Sequence, residues 1–447
     1  MNFTTEELIF VTNAKVLKNN TQGRSFTIST DTRTINSQNV YIGLKGEKFD
    51  GEKFIPKAVE AGAKAYFTTT GIVLDDADLV LQVKSPIIAY LQLAKLRLNK
   101  ISPKVIALTG SSGKTTTKEM VTSVCRQQFR TFSTPLNHNN EVGFCQTILS
   151  MPEDTQILIL EMGMRGLGEI ELLSKYSNPD ITIITNVGTS HIGRLGSREN
   201  IAKAKCEICK YQKHDGCFIA NDCDLIKKTV EFNGEKIYFS INNVEFEEKT
   251  IGKTKFKYKN EEYQLNIEGD YNVENALAAI ETGLHLGMTP EKINDGLKIY
   301  APIEKRWQIE NVNGYKVIND AYNANPDSMK AALSTVLELY PDSVLVLGNM
   351  GELGQDEEFY HEQIGQFILD KLNADNHVKI ITVGNLAKKI AETVKKQNIF
   401  AVDFETNAQA VDYIKNNIEK NSTIFLKASH SMKFDEILNG LKGENLW

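Results

Sequence analysis

The stretch VIALTGSSGKTTTKEM (105–120) decides the fold of this chain. It opens with an apolar run that ends at Gly110, and residues with helical spacing follow from Lys114. A strand, a glycine turn and a helix, in that order, form the setting of a phosphate-binding loop. The backbone N–H groups of such a loop face an anion, and the start of the helix adds partial positive charge. We therefore predict a nucleotide site, with Lys114 on the β- and γ-phosphates and the Thr115 hydroxyl on Mg²⁺.

The glycines of this loop are spaced more closely than in the usual eight-residue motif. Gly110 and Gly113 are separated by only two residues, because Leu108 stands where the first glycine is expected. The alternative interpretation is an ordinary Gly-Ser turn before a helix. Switch and motor ATPases share such a loop, but they usually carry an aspartate at the tip of a neighbouring strand. Here the acid at that place is Glu161, which disfavours the switch class.

Two further apolar runs, ILILEMG (157–163) and ITIITNVG (181–188), each end in a polar tip. Continuous apolar runs separated by helices predict a parallel sheet that is covered on both faces. The segment 231–268 differs, because KIYFSI, KFKYK and YQLNI alternate at period two and predict an antiparallel flap. The run VENALAAIETGLHLG (273–287) predicts a helix that ends at glycine.

The organisation along the chain predicts an α/β protein of three domains. Residues 1–84 predict a small α/β domain with short strands and one helix (55–63), and a helix over 85–100 forms the joint to the next domain. Residues 85–302 hold the central P-loop domain, a parallel sheet with the antiparallel flap. From 303–447 strands and amphipathic helices alternate again, which predicts a Rossmann-like, doubly wound domain.

Composition excludes several classes of protein. The chain has 447 residues, 41% hydrophobic and 24% charged, and a net charge of −6, so it is neither disordered nor a general binder of nucleic acids or membrane surfaces. The lysines of KTKFKYK (253–259) are better explained as a solvated strand face. There is no membrane-spanning apolar run, and the start MNFTTEELIF lacks the basic region of a signal peptide. We expect a cytoplasmic, monomeric protein that acts on small molecules and does not insert into membranes.

The cysteines leave one alternative open. Cys206 and Cys209 have the CxxC spacing of zinc ligands, and Cys217 and Cys223 follow soon after. The first pair falls in a predicted helix and the second on a strand and its end. We therefore expect reduced cysteines packed in the core, with zinc as the alternative.

The run TGSSGKTTTKEM (109–120) resembles the Mur ligase family, which builds the peptide stem of the bacterial cell wall. Further segments agree in order over nearly the whole chain. They are STDTR (29–33), GLKGEKFDGEKF (43–54), LNHNNEVG (136–143), EMGMRGLGEI (161–170), SHIGRLGS (190–197), IAKAKCEI (201–208), GDYNVENALAA (269–279), DAYNANPDSM (320–329), LGNMGELG (347–354) and KASHSM (427–432).

This resemblance implies an ATP-dependent ligase that forms an amide bond through an acyl phosphate. The version DAYNANPDSM (320–329) implies that D-alanyl-D-alanine is joined to UDP-N-acetylmuramoyl-tripeptide in a bacterial cytoplasm. Two alternatives stay open. One is a related Mur or folylpolyglutamate-type ligase that adds a single amino acid, and the other is a nucleotide-dependent switch.

The resemblance also implies a metal centre with two Mg²⁺ ions. The implied ligands are Thr115, Glu161, His191 and Lys205, the last as a carbamate formed with CO₂. A free lysine is a cation and cannot bind Mg²⁺, whereas its carbamate is an oxygen ligand. Spacing alone does not choose between Lys203 and Lys205, and the resemblance selects Lys205. Lys114, His191 and Lys205 are the implied catalytic residues.

The remaining implied contacts fall into three groups. The ATP contacts are Thr109, Gly110, Ser111, Ser112, Gly113, Lys114, Thr115, Thr116, Asn272, Asn275, Arg306 and Asp320. The contacts to the UDP substrate are Asp31, Thr32, Arg33, Lys45, Gly46, Asn137, Asn139 and Asn140, and those to the amine are Tyr322, Asn323 and Asn325. Alternatives are helix caps for Asn272 and Asn275, and an Asx-type turn for Asp31.

Two positions depart from the family pattern. Lys305 stands where the family often has glycine before Arg306, and Ala428-Ser429-His430 stands where it often has Gly-Ser-Arg. The substrate contact of that arginine is therefore not carried over, and His430, largely neutral at pH 7, replaces it only weakly.

Overall fold

The computed structural model describes residues 2–46, 49–136, 138–303 and 305–444. In these ranges the chain forms three six-stranded sheets and one three-stranded sheet, and helices pack between and around them. The predicted α/β class is confirmed. Asn137, predicted to contact substrate, lies outside the described residues. The domain boundaries after residues 84 and 302 stay predictions.

The first sheet has the strand order β1-β3-β4-β5-β6-β2. Its four central strands are parallel, and the two edge strands run antiparallel to them. The strands are β1 (Phe3–Thr4), β2 (Lys15–Asn19), β3 (Ser25–Ser29), β4 (Asn39–Ile42), β5 (Ala65–Thr68) and β6 (Leu79–Gln82), and the helices are α1 (Thr5–Thr12), α2 (Ile55–Glu60) and α3 (Pro86–Ile101).

The prediction of one helix before residue 85 was wrong, because α1 precedes α2. Its signal is a capping box, in which the Thr4 side chain accepts from the Glu7 N–H and the Glu7 carboxylate accepts from the Thr4 N–H. Such a box satisfies two N–H groups that a helix start leaves free. The apolar pattern in this eight-residue helix is too short to predict it, so the cap was the better signal.

The central sheet is wholly parallel, with the order β12-β11-β10-β7-β9-β8. All of its strands therefore end at the same edge, where the phosphate loop follows β7. The strands are β7 (Lys104–Thr109), β8 (Thr131–Ser133), β9 (Ile157–Glu161), β10 (Ile181–Ile184), β11 (Cys217–Asn221) and β12 (Glu235–Phe239). The helices of this part of the chain are α4 (Lys114–Cys125), α5 (Glu141–Ser150), α6 (Glu169–Ser177), α7 (Ile192–Leu195), α8 (Arg198–Cys206), α9 (Asp224–Thr229), α10 (Asp270–His285) and α11 (Pro290–Ile299).

The antiparallel flap is composed differently from the prediction. It consists of β13 (Glu245–Thr250), β14 (Lys253–Tyr258) and β15 (Glu261–Leu265), paired antiparallel. KIYF was assigned to the flap, but as β12 it pairs parallel with β11 at the edge of the central sheet. An edge strand is partly solvated, so it shows the same period-two alternation as a flap strand.

The third sheet has the order β16-β17-β21-β18-β19-β20 and is parallel except for β16. Its strands are β16 (Gln308–Val312), β17 (Tyr315–Asn319), β18 (Val344–Gly348), β19 (Lys379–Val383), β20 (Ala401–Phe404) and β21 (Thr423–Lys427), and its helices are α12 (Pro326–Leu339), α13 (Glu357–Lys371), α14 (Lys388–Lys395), α15 (Asn407–Asn417) and α16 (Asp435–Lys442). Helices separate the parallel strands, as the doubly wound prediction requires. No helix of the described residues combines the length and the apolar character that crossing a membrane needs.

Candidate active site

A cleft of about 1280 Å³ opens between the three sheets and receives side chains from all of them. Most of the residues implied by the resemblance line it. These are Lys45, Gly46, Ser111, Ser112, Gly113, Lys114, Thr115, Thr116, Asn139, Asn140, Glu161, His191, Asn272, Asn275, Arg306, Asp320, Tyr322, Asn323 and Asn325. The cleft walls do not include Asp31, Thr32, Arg33, Thr109, Gly110 or Lys205.

The two glycines of the phosphate loop are required by close approaches. A Cβ atom on Gly110 would lie 1.7 Å from Thr185 Oγ1, and one on Gly113 would lie 2.3 Å from Asn275 Oδ1. Gly113 also has a φ of +76°, in the left-handed region that side chains disfavour. Asn275 in turn accepts a hydrogen bond of 3.0 Å from Thr117 Oγ1, which holds α10 against α4. The loop therefore packs tightly below the surface that faces the cleft.

We expect Gly113→Ala to weaken ADP binding at least about tenfold, because the new methyl group must push Asn275 away and strain the backbone by about 1–2 kcal/mol. Isothermal titration calorimetry measures the affinity, and thermal unfolding measures the stability. Gly168→Ala is the matched control, since Gly168 has a φ of +86° with no atom within 4 Å of its added Cβ. It should lose stability and keep its affinity for ADP. Equal loss of affinity in both variants would contradict this role for Gly113.

Asn186, for which the sequence predicted no role, organises the phosphate loop from the segment that follows strand β10. Its Oδ1 accepts from the Ser112 N–H at 2.9 Å, and its Nδ2 donates to the Ser112 carbonyl at 3.1 Å. The Thr185 hydroxyl donates to the same carbonyl at 2.6 Å. The available signal was the polar tip of the run ITIITNVG (181–188), which places both side chains where the parallel strands end.

Lys114 lies half-buried at the start of α4, and its Nζ donates to the Gly110 carbonyl at 2.9 Å. Desolvation lowers the pKa of Lys114, and the Arg306 guanidinium lowers it further, against the opposite effects of Glu161 and Glu352. Two cations held this close in a desolvated wall form a site for a polyanion, because its charge would relieve their repulsion.

The third domain reaches the phosphate loop through Arg306. Its Nη2 donates to Thr115 Oγ1 at 3.0 Å, and its guanidinium carbon lies 3.6 Å from the centre of the Tyr322 ring. Asp320 forms an ion pair with the buried Lys427. Lys427 begins the segment KASHSM (427–432), and the sequence predicted no separate role for it. The Tyr322 and His430 rings lie 5.8 Å apart, so His430 is close to the position predicted for the amine.

Hydrogen bonds across the cleft hold the third domain to the loop after β10. Asn325 Nδ2 donates to Ser190 Oγ at 2.5 Å, and Ser190 Oγ donates to the Ser111 carbonyl at 2.8 Å. Asp327 Oδ2 accepts from both the N–H and the hydroxyl of Thr189, at 2.6 and 2.7 Å. Asn325 Oδ1 also accepts from the Ser328 N–H and so caps α12. The predicted amine residue Asn325 therefore also joins two domains.

The donors predicted for a metal ion fit that role. Glu161 is buried at the end of β9, and its Oε1 accepts from Asn139 Nδ2 at 3.0 Å. Its Oε2 is buried without a hydrogen-bond partner among the described residues, so this carboxylate oxygen is available as a metal ligand. His191 Nδ1 lies 2.6 Å from Glu352 Oε2, and this contact lowers the pKa of Glu352. A carboxylate at Nδ1 leaves Nε2 as the ligand nitrogen, the arrangement typical of metal-bound histidine.

Lys205 is fully buried behind the cleft wall, on α8, whereas Lys203 on the same helix is exposed. Burial, and secondly the nearby Lys114 ammonium, hold the pKa of Lys205 well below its ordinary value. Burial therefore favours the neutral amine of Lys205. The structure thus distinguishes two lysines that spacing alone did not separate.

The turn at residues 31–33 in the first domain, which was predicted to bind substrate, forms hydrogen bonds within itself. Asp31 Oδ1 accepts from the Arg33 N–H and the Arg33 side chain, each at 2.9 Å, and the Arg33 side chain is 83% exposed. The Asx-type alternative therefore describes this turn, and it lies outside the cleft. Lys45 and Gly46 are the predicted residues of the first domain that do line the cleft.

The cysteines pack on opposite faces of the central sheet. Cys206 and Cys209 belong to the hydrophobic cluster on one face, with Cys223 packed against it, and Cys217 belongs to the cluster on the other face. Among the described residues the four therefore do not gather as one group. The expectation of core cysteines describes Cys206, Cys209 and Cys217, and Cys223 is partly buried against the core.

Comparison with known proteins identifies the family. The model described as Mur ligase family, catalytic domain matches residues 27–97, Mur ligase middle domain matches 108–283, and Mur ligase, glutamate ligase domain matches 305–430. The chain belongs to the Mur ligase family.

Individual relatives align over nearly the whole chain. UDP-N-acetylmuramoyl-tripeptide--D-alanyl-D-alanine ligase of Bacillus subtilis (strain 168) is 38% identical, covering 93% of this chain and 92% of that protein. The ligase of the same name from Synechocystis is 31% identical, covering 94% and 92%. The crystal structure of MurF from Acinetobacter baumannii superposes with a TM-score of 0.88 at 28% identity, covering 99% of each chain.

Proposed function

We propose that this chain is the ATP-dependent ligase that joins D-alanyl-D-alanine to UDP-N-acetylmuramoyl-tripeptide in the synthesis of peptidoglycan precursors. The observation that carries the proposal is the cleft, into which the phosphate loop, Lys45 of the first domain and Arg306 of the third all face. The names of the relatives aligned over nearly the whole chain support the choice of substrates. The compartment of this reaction is the bacterial cytoplasm, and we retain a monomer as the expected assembly.

The reaction has two steps. A carboxylate of the peptide attacks the γ-phosphorus of ATP, ADP leaves, and an acyl phosphate forms. The amine of the dipeptide then attacks the acyl carbon, inorganic phosphate leaves, and the nitrogen loses a proton. The first step brings an anion onto a polyanion, so it depends on cations placed around the transferred group.

Residues of the cleft meet these needs. The N–H groups of the phosphate loop and Lys114 bind the phosphates, and Arg306 approaches them from the third domain. The contacts of Asn325 and Asp327 with the loop after β10 keep the two domains together, which excludes water from the acyl phosphate. Tyr322 and Asn323 stand on the third-domain wall, where the amine would enter.

Thr115, Glu161 and His191 would hold Mg²⁺, and a carbamate on Lys205 would complete the ligand set with further oxygen atoms. When bound, Mg²⁺ neutralises the charge that develops on the phosphates. The neutral amine of Lys205 would attack CO₂, form an N–C bond and lose a proton, which converts it to an anionic carboxylate. The unpartnered Glu161 oxygen and the buried position of Lys205 support this assignment.

A matrix of acceptors and amines tests the function. The purified chain with Mg²⁺ and ATP is offered UDP-N-acetylmuramoyl-dipeptide, the tripeptide or a folate, each with D-alanyl-D-alanine, glutamate, lysine or diaminopimelate. We expect phosphate release and a product of the correct mass from the tripeptide with the dipeptide amine. Release with a single amino acid would instead indicate the related ligases. ATP hydrolysis that ignores both substrates would indicate a switch.

A further inference from the structure

Three potential metal ligands converge far from the cleft, at the opposite end of the central sheet. Cys217 and Glu235 are the first residues of β11 and β12 and pair in register, so their side chains share one face. His285 is the last residue of α10, which packs on that face. Their ligand atoms all lie within 4.8 Å of one another, and His285 Nδ1 lies 3.2 Å from Glu235 Oε2.

We propose that Cys217, Glu235 and His285 form a binding site for a divalent transition metal ion of the zinc type. One thiolate, one imidazole and one carboxylate are the donors that zinc accepts, whereas Mg²⁺ selects oxygen ligands. At zinc's bond lengths of about 2.0–2.3 Å, the ligand atoms around the ion are about 3–4 Å apart. Small side-chain rotations would therefore bring these three ligand atoms, now within 4.8 Å of one another, to the separations that zinc requires. Three protein ligands leave a fourth position for water.

The surroundings of these ligands suit a cation that arrives from solvent. The Cys217 thiol is fully buried, whereas the side chains of His285 and Glu235 are 21% and 58% exposed. The ion would therefore bind near the surface, with the Cys217 sulfur on its buried side. The carboxyl end of α10 adds partial negative charge beside His285.

Glu281 lies one helical turn before His285, but it already has two partners. It accepts from the Tyr258 hydroxyl at 2.6 Å and pairs with Lys259 at 2.7 Å. Glu281 therefore contributes negative charge without being free to act as a ligand. This leaves the three side chains above as the ligand set.

The proposed site is independent of the ligase reaction. It lies at the amino ends of β11 and β12, whereas the phosphate loop follows the carboxyl end of β7 in the same parallel sheet. Its thiol is on the opposite face from Cys206 and Cys209. Its physical effect would be to fasten edge strand β12 and the end of α10 to β11.

Titration of the full chain with Co²⁺, in excess Mg²⁺ and after removal of transition metals, tests the proposal. A Co²⁺–thiolate pair absorbs in the near ultraviolet, and this band does not depend on catalysis. We expect one equivalent of Co²⁺ to produce the band in the wild type, and Zn²⁺ to abolish it by displacement. Cys217→Ser should lose the band, and His285→Ala should bind at least about tenfold more weakly.

Cys223→Ser is the matched control, because it removes a thiol on the other face and should keep the band and the affinity. If Cys217→Ser does not fold, the double variant Glu235→Gln/His285→Ala replaces it as the test, because both of these side chains are partly exposed. Loss of the band in the double variant supports the site. A wild-type chain without the band, or a band that survives either Cys217→Ser or the double variant, would overturn the proposal.

Discussion

Lys114→Ala should lower the rate of amide formation by several orders of magnitude while the protein stays folded. Each factor of ten is about 1.4 kcal/mol, and a charge held against a transferred phosphate in a desolvated wall supplies several such steps. Lys114 is half-buried, and the hydrogen bond that it donates to the Gly110 carbonyl is local to the loop, so loss of this side chain should affect chemistry more than stability. The measurement is kcat/KM for phosphate release in the presence of both substrates.

Lys104→Ala serves as the control for Lys114, because Lys104 is exposed at the start of the strand that leads into the loop. It should retain wild-type kinetics. A Lys114→Ala enzyme within about threefold of the wild type would remove the role proposed for this lysine.

Replacing Lys205 should lower the rate by more than about 100-fold, because the proposed carbamate is a metal ligand whose loss weakens the bound Mg²⁺. Lys205→Met keeps much of the buried volume, which separates this effect from a packing defect. The apparent KM for Mg²⁺ should rise, and short carboxylic acids should restore part of the activity of Lys205→Ala, since they can enter the cavity and supply the missing oxygens.

Lys203→Ala is the matched control on the same helix, and because Lys203 is exposed it should behave as the wild type. Carbon-13 NMR of the wild type in labelled bicarbonate should show one carbamate signal that disappears in Lys205→Met. A Lys205→Met enzyme with unchanged rate and Mg²⁺ dependence would contradict the carbamate.

The parts of the site that the sequence predicted are those specified locally. A strand, a glycine turn and a helix define the phosphate loop within about fifteen residues, and strand tips such as Glu161 must meet at one edge of a parallel sheet. Asn186 and Glu352 were missed because their roles depend on partners far along the chain: Ser112 in the loop and His191 across the cleft. Asp31 shows the opposite case, since its turn is satisfied by local hydrogen bonds and lies outside the cleft lining.

Strand β12 shows why an element can be recognised and still be placed wrongly. Its alternation predicted a strand correctly, but alternation reports only that one face is solvated. Both an edge strand of a parallel sheet and a strand of the flap meet that condition, and the partner strand is decided by the fold of the whole domain. The cap of α1 shows that short helices are better predicted from their termini than from apolar spacing.

Asn325 caps α12 with one end of its amide and holds Ser190 with the other, and Ser190 in turn holds the carbonyl of Ser111. The position of the third domain and the conformation of the phosphate loop are thus thermodynamically linked. Such coupling is reciprocal. If this position of the third domain strengthens the binding of a ligand to the loop, then that ligand stabilises this position by the same free energy. Asn325 is therefore a point at which nucleotide binding and the position of the third domain are coupled.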